Sequence, residues 1–131
     1  MTGCAHGLKK NERICSRRLM DELFSGDGSK GVSVYPIRAV YMTKEQQQDM
    51  PPVMMMVSVS KRHFKRAVKR NRVKRQLREA YRLNKEILWN KATEKGCNIV
   101  VAFIWIADEI VSSAEVSSKM ATLMRKIAER L

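Results

Sequence analysis

The residues of this sequence best suited to chemistry are the cations of residues 61–82, which comprise eleven Lys or Arg residues against one acid, Glu79. The stretch therefore carries ten of the thirteen net positive charges of the chain. A plain solvated face is one interpretation. However, like charges at helical spacing destabilise a helix unless an anion screens them. Binding of a polyanion to these cations is also favoured, because it releases the polyanion's condensed counterions. We therefore expect a nucleic-acid-binding surface. The candidate contact residues are Lys61, Arg62, Lys65, Arg66, Lys69, Arg70, Asn71, Arg72, Lys74, Arg75, Arg78 and Arg82.

From about Ala67 the apolar residues of this stretch recur at helical spacing, which predicts a helix with one buried and one outward side. The outward side has Asn71, Arg75, Arg78 and Arg82 spaced as i, i+4, i+7 and i+11, so a chain of phosphates could follow one line of side chains. Arginine suits this role because its planar fork binds phosphate oxygens in a bidentate way. For Asn71 two alternatives stand open, a specific polar contact or a local bond to the helix backbone. The predicted buried side consists of Val73, Leu77, Ala80 and Tyr81.

The rest of the chain offers no recognisable catalytic arrangement. The acids are scattered outside any metal-ligand motif, only two histidines are present, and neither a Gly-rich phosphate loop nor a nucleophile elbow occurs. We therefore expect binding without catalytic side chains and without a metal site. No apolar seam continues from Leu77 at heptad spacing, which excludes a basic zipper. Three widely spaced cysteines and the lack of an apolar run of membrane-spanning length favour a soluble protein of the cytoplasm.

Hydrophobic periodicity predicts a single domain over residues 1–131, an α+β fold with helices packed on a small sheet. Residues 1–12 show no periodicity and are expected to form a mobile arm. A short helix begins at Ser16 and ends near Gly26, and a strand region at 32–42 contains Pro36 at an edge or a bulge. Residues 43–52 are predicted to form an exposed connection.

The second half of the chain continues this alternation of strands and helices. Residues 53–60 are predicted to form a central strand buried on both faces, and the basic helix follows, with Leu88 as its furthest apolar residue. Residues 97–107 are predicted to form another buried strand. The chain closes with an amphipathic helix, for which Ser112 and Glu115 form a candidate capping box.

Residues 65–82 carry a motif that resembles the signature of the protein subunit of bacterial ribonuclease P. The triplet Arg70, Asn71 and Arg72 is similar to the hallmark of that family, and the preceding Ser-Val-Ser-Lys segment at 58–61 fits the strand that leads into it. The resemblance covers nearly the whole chain and implies a two-layer α/β sandwich of three helices on a small mixed sheet, with a left-handed βαβ crossover. It also implies that a catalytic RNA, holding magnesium, removes the 5′ leader from precursor tRNA. The implied partners are this RNA and precursor tRNA, with neither DNA nor a membrane.

The same resemblance implies a cleft for the single-stranded leader between the first helix and the sheet. Its implied residues here are Met20, Phe24 and Arg38, of which Met20 stands where relatives often carry a second phenylalanine. Met56 stands where many relatives carry glycine. Bases stack on rings and on guanidinium planes, so Phe24 and Arg38 suit the role. The rival interpretations are a general RNA-binding or RNA-chaperone protein and an independent nuclease.

Overall fold

The fold comprises four helices and four strands in the computed structural model, which describes residues 17–25, 28–45 and 51–131. The mobile arm predicted at residues 1–12 and the expected helix end at Gly26 lie outside the described residues. The elements in chain order are α1 (Arg17–Ser25), β1 (Lys30–Val34), β2 (Ile37–Glu45), β3 (Val53–Val59), α2 (Ala67–Asn84), α3 (Glu86–Lys95), β4 (Cys97–Trp105) and α4 (Ser113–Arg130).

The sheet has the strand order β1-β2-β4-β3. Strand β4 pairs antiparallel with β2 and parallel with β3, so it lies in the interior of the sheet and its residues from Asn98 to Phe103 are buried. The prediction of a central strand at residues 53–60 is wrong, because β3 lies at the edge of the described sheet and only alternate residues of its first half are fully buried. The mixed α+β sandwich is confirmed. The left hand of the β3 to β4 crossover stays a prediction.

The strand region predicted at 32–42 is a hairpin of two strands. Strands β1 and β2 pair antiparallel from Lys30 opposite Tyr41 to Val34 opposite Ile37. Pro36 lies in the turn between them, after a cis peptide bond, rather than within a strand as an edge or bulge residue. Strand β2 also runs to Glu45, so the predicted connection at 43–52 is wrong for its first three residues. These polar residues extend the strand because their backbone pairs with the start of β4.

The predicted count of three helices is wrong, since the described residues contain four. Helix α2 ends at Asn84 and α3 begins at Glu86. The side-chain amide of Asn84 donates to the Ala80 carbonyl (2.8 Å) and to the Ser117 hydroxyl of α4 (3.2 Å). Side-chain bonds of this kind compete with the backbone hydrogen bonds of a helix. Lys85, between the helices, is only 1% exposed, and its ammonium lies 4.8 Å from the centre of the Trp89 ring.

The two faces of the sheet carry two separate hydrophobic clusters. Helices α2, α3 and α4 cover one face and form the main core, which includes the predicted helix residues Val73, Leu77, Ala80 and Tyr81. Helix α4 starts as predicted, because the Ser112 hydroxyl accepts from the Glu115 amide. Helix α1 covers part of the other face, where Leu23 packs on Met42, Val100 and Ala102. Within the described ranges, each helix is too short or too polar to cross a bilayer.

Candidate nucleic-acid interface

The segment between β3 and α2, residues 60–66, forms a tight turn that displays four exposed cations, Lys61, Arg62, Lys65 and Arg66. This segment is called the basic turn below. The Ser60 carbonyl accepts from the amides of residues 63 (3.1 Å) and 64 (3.3 Å), and its hydroxyl accepts from the amide of residue 62 (3.1 Å). The ring of Phe64 is buried with 6% exposure and anchors the turn to the main core. The cations therefore project from a backbone that is held in place.

Arg70, the first residue of the family-like triplet, binds the basic turn itself. Its Nη1 atom donates to the carbonyl of Phe64 (2.9 Å) and to that of Lys65 (2.7 Å). Arg70 is half-buried, whereas Arg72 is exposed. Arg70 is therefore a candidate contact residue that also holds the backbone of the basic turn, because one of its nitrogen atoms donates to two carbonyls. Its remaining N–H groups are still available to an anion.

The polar residues on the outward side of α2 are exposed near its start, whereas the cation at its end is bound to an acid. Asn71 and Arg75 are exposed, and the Asn71 side chain makes no hydrogen bond to any described residue, so the local bond from its side chain to the backbone is not formed. Arg82, at the end of the line, donates from Nε to Glu79 Oε2 (3.1 Å) and also contacts Oε1. This hydrogen bond lowers the pKa of Glu79 and raises that of Arg82. The available positive charge is therefore concentrated in the first half of the helix.

The N-terminus of α2 adds its own partial positive charge to this region. No acid lies in the first turn, and the N-cap residue Arg66 makes no capping bond through its side chain. The first amides of a helix are donors without intrahelical partners, and they suit phosphate oxygens. Lys65, Arg66 and Lys69 surround this helix end and are exposed. The basic turn and the start of α2 together form an anion-binding surface, to which the part-exposed Lys74 and Arg78 also belong.

A second candidate region is the groove between α1 and the sheet. Phe24 is 48% exposed and lines an open groove of about 400 Å³ together with Arg38. The floor includes Val40 and Ile104, and Lys30, which sequence reasoning missed, adds a cation to the rim. Nothing in the sequence near Lys30 marks it, because its place in the groove follows from the pairing of β1 with β2. Of the three residues that the resemblance assigns to a leader cleft, Phe24 and Arg38 therefore share one groove, whereas Met20 does not line it.

Met20 and Met56 lie deeper on this face of the sheet. Both are partly buried and pack against the cluster around Leu23, Val100 and Ala102. Met56 pairs with Ala102, a small residue, so its long side chain fills space that a glycine would leave open.

The groove and the basic turn lie at the same end of the sheet. Arg38 pairs with Ile104 on β4, which in turn pairs with Ser58 on β3, two residues before the basic turn begins at Ser60. Neighbouring strands are about 4.8 Å apart, so this row spans about 10 Å. The groove and the start of the basic turn are therefore separated by about two strand spacings at this end of the sheet.

His63 of the basic turn has a partner that sequence reasoning missed. Its Nδ1 atom lies 2.6 Å from Oδ1 of Asp108, in the segment that follows β4. Since the two residues are 45 positions apart, no local pattern could have indicated the pair. In the described part of the chain, no group of three or more His, Cys, Asp or Glu side chains could hold a metal ion.

Comparison with known proteins places the chain in a family. The sequence model of the family Ribonuclease P matches residues 8–128. The chain is 41% identical over 122 residues to the ribonuclease P protein component of Porphyromonas gingivalis W83, a match that covers 93% of this chain and 87% of that protein. It is 32% identical over 109 residues to the ribonuclease P protein component of Chlorobium phaeobacteroides, covering 77% of this chain and 73% of that protein.

The fold is shared with a solved structure as well. The Staphylococcus aureus RNase P protein superposes with a TM-score of 0.62 at 17% identity, and the match covers 90% of this chain and 95% of that one. By its sequence along nearly the whole of its length and by its fold, the chain belongs to the ribonuclease P protein family.

Proposed function

We propose that this chain acts as the RNA-binding protein subunit of ribonuclease P, with a catalytic RNA performing the endonucleolytic removal of the 5′ leader from precursor tRNA. The observation that carries the proposal is that the groove at Phe24 and Arg38 and the exposed cations of the basic turn lie at the same end of the sheet. Such an arrangement fits a chain whose unpaired bases lie in the groove while its phosphates meet the cations.

The two regions contribute different physical terms to RNA binding. The exposed lysines and arginines neutralise phosphates and release counterions, which supplies affinity without sequence information. The half-exposed ring of Phe24 and the guanidinium of Arg38 offer flat surfaces for unpaired leader bases, and every base can stack on them. In this proposal the cations bind the catalytic RNA and the groove binds the leader of precursor tRNA.

The protein contributes position and charge rather than catalytic groups. The described residues form no carboxylate cluster that fits magnesium, so the proposal assigns this ion to the RNA. A protein of net charge +13 screens the phosphates that a folded RNA must bring together around its ions. The proposed place of action is the cytoplasm. A general RNA-binding or RNA-chaperone role would use the same cations but would not require the groove beside Phe24.

The salt dependence of RNA binding tests the electrostatic part of this proposal. If about five of the exposed cations contact phosphates, the logarithm of the affinity for the ribonuclease P RNA should fall against the logarithm of salt concentration with a slope of roughly −3.5 to −4.5. Replacing the exposed Arg72 by Ala should make the slope shallower by about 0.7 to 0.9. Binding that is nearly independent of salt would contradict the proposal.

A further inference from the structure

The pair formed by His63 and Asp108 has no task in the proposed contacts with RNA. Asp108 is an acid with a side chain that is 86% exposed, and it stands beside a surface built of cations. A carboxylate at this position repels RNA phosphates and should weaken RNA binding, unless it also makes a contact that offsets this repulsion. Its one described partner is His63, whose side chain is 19% exposed and lies inside the basic turn.

The contact ties the basic turn to the segment that follows β4. The ionised carboxylate only accepts hydrogen bonds, so the imidazole Nδ1–H donates to Asp108 Oδ1 across 2.6 Å. Both ends are fixed by burial of a neighbour, since Phe64 is 6% exposed and Ala107 is 1% exposed. The hydrogen bond therefore joins two anchored backbone segments rather than two mobile ends.

The basic turn needs such ties because its cations repel one another. Lys61, Arg62, Lys65 and Arg66 lie within six residues, and their repulsion favours an opened and disordered segment. Ordering a mobile segment during binding costs conformational entropy, which is subtracted from the affinity. The hydrogen bonds that hold this segment include the Ser60 bonds, the bonds from Arg70 and the bond from His63 to Asp108.

We propose that Asp108, acting through His63, is a positioning residue that holds the basic turn in its RNA-binding shape. The inference rests on the proposed function, because it takes RNA as the ligand of the basic turn. A positioning role reverses the expected effect of removing this acid on the affinity for RNA. Removing a negative charge from a cationic RNA-binding surface should strengthen RNA binding, whereas removing Asp108 is expected to weaken it.

The test compares two side chains of equal charge at position 108. Asp108→Asn and Asp108→Ala both remove the carboxylate charge, but only asparagine keeps an oxygen that can accept from His63. We expect Asp108→Ala to bind the ribonuclease P RNA about two- to five-fold more weakly than the original chain, the size expected for the loss of one partly exposed hydrogen bond. Asp108→Asn should bind more tightly than Asp108→Ala.

The adjacent exposed acid supplies the matched control. Glu109→Gln and Glu109→Ala remove the same charge one residue away, and Glu109 makes no hydrogen bond or ion pair to a described residue. Both should bind RNA as tightly as the original chain or slightly more tightly, with no difference between the two. Thermal unfolding of all four variants should show a native transition, because both acids are exposed. The inference is overturned if Asp108→Ala binds as tightly as Glu109→Ala.

A variant of Lys61 separates this inference from the proposed function. Lys61→Ala removes an exposed cation of the basic turn and should weaken RNA binding and make its salt dependence shallower. If Lys61→Ala weakens binding while Asp108→Ala matches Glu109→Ala, only the positioning role fails. If Lys61→Ala and the Asp108 variants all leave binding unchanged, the basic turn is not an RNA surface, and the proposed interface fails with the inference.

Discussion

The replacement of Phe24 by alanine separates leader binding from core packing in the groove beside α1. A stacked base contributes about 1 to 3 kcal/mol by alanine substitution, so affinity for precursor tRNA should fall about 5- to 150-fold. Mature tRNA lacks the unpaired leader, and its binding should change little. The ratio of the two affinities, measured by fluorescence anisotropy with the assembled ribonucleoprotein, is the quantity to compare.

The cost to stability should be modest, because the ring is 48% exposed. Truncation of a fully buried phenylalanine costs about 3 to 5 kcal/mol, and a half-exposed ring leaves no enclosed cavity, so a loss below about 2 kcal/mol is expected. Leu23→Ala is the matched control on the same helix, since Leu23 is 0% exposed. It should lower the free energy of unfolding by about 2 to 5 kcal/mol. Under conditions where it remains folded, it should affect both tRNA forms equally.

Phe24→Trp adds a second check, because tryptophan keeps a flat ring for stacking. It should retain most of the preference for precursor tRNA. The reasoning is refuted if Phe24→Ala weakens binding of precursor and mature tRNA by the same factor, or if its loss of stability matches that of Leu23→Ala. Either result would show that the ring serves packing.

Three further predictions concern the cations and α1. Arg70→Lys keeps the charge but loses the guanidinium that binds two carbonyls of the basic turn, so RNA affinity should fall nearly as far as in Arg70→Ala; full affinity in the lysine variant would make Arg70 a plain phosphate contact. Arg82 lowers the pKa of Glu79 below its ordinary value of 4.5, so the pair stabilises the fold above that pH and loses its contribution as pH falls through the lowered pKa. Glu79→Gln should therefore lower the free energy of unfolding, measured with urea at neutral pH, by less than about 1 kcal/mol. A loss of stability that persists well below the lowered pKa would contradict this. Met20→Phe should lower the melting temperature and leave the binding of precursor and mature tRNA unchanged, because Met20 packs against the cluster around Leu23; tighter binding of precursor tRNA alone would show that the side chain faces the groove.

Local periodicity was enough to predict the elements that position the cations. The buried side of α2 follows from apolar residues at helical spacing, and the start of α4 follows from Ser112 and Glu115. Strand β4 was predictable as a buried strand because its apolar run is continuous. Each of these features depends on residues within a few positions of one another.

The errors arose where long-range pairing decides the structure. Strands β3 and β4 have similar apolar runs, so their sequences alone do not distinguish an edge strand from an interior strand. The topology of the sheet decides this, and it gives β3 one described neighbouring strand. The division between α2 and α3 depends on Asn84, which reaches Ser117 on α4. Similarly, the contact from His63 to Asp108 joins distant segments. For Arg70, the residue type predicted an anion contact, whereas the fold also gives it backbone carbonyls to bind.

The most direct test of the account is cleavage of precursor tRNA by the purified protein, by the ribonuclease P RNA from the same organism, and by both together in magnesium. We expect no cleavage by the protein alone and faster cleavage, at moderate magnesium concentration, by the two together than by the RNA alone. Cleavage by the protein alone would indicate an independent nuclease. If the protein binds the RNA without changing the rate of cleavage, the chain is a general RNA-binding protein, and the central claim is contradicted.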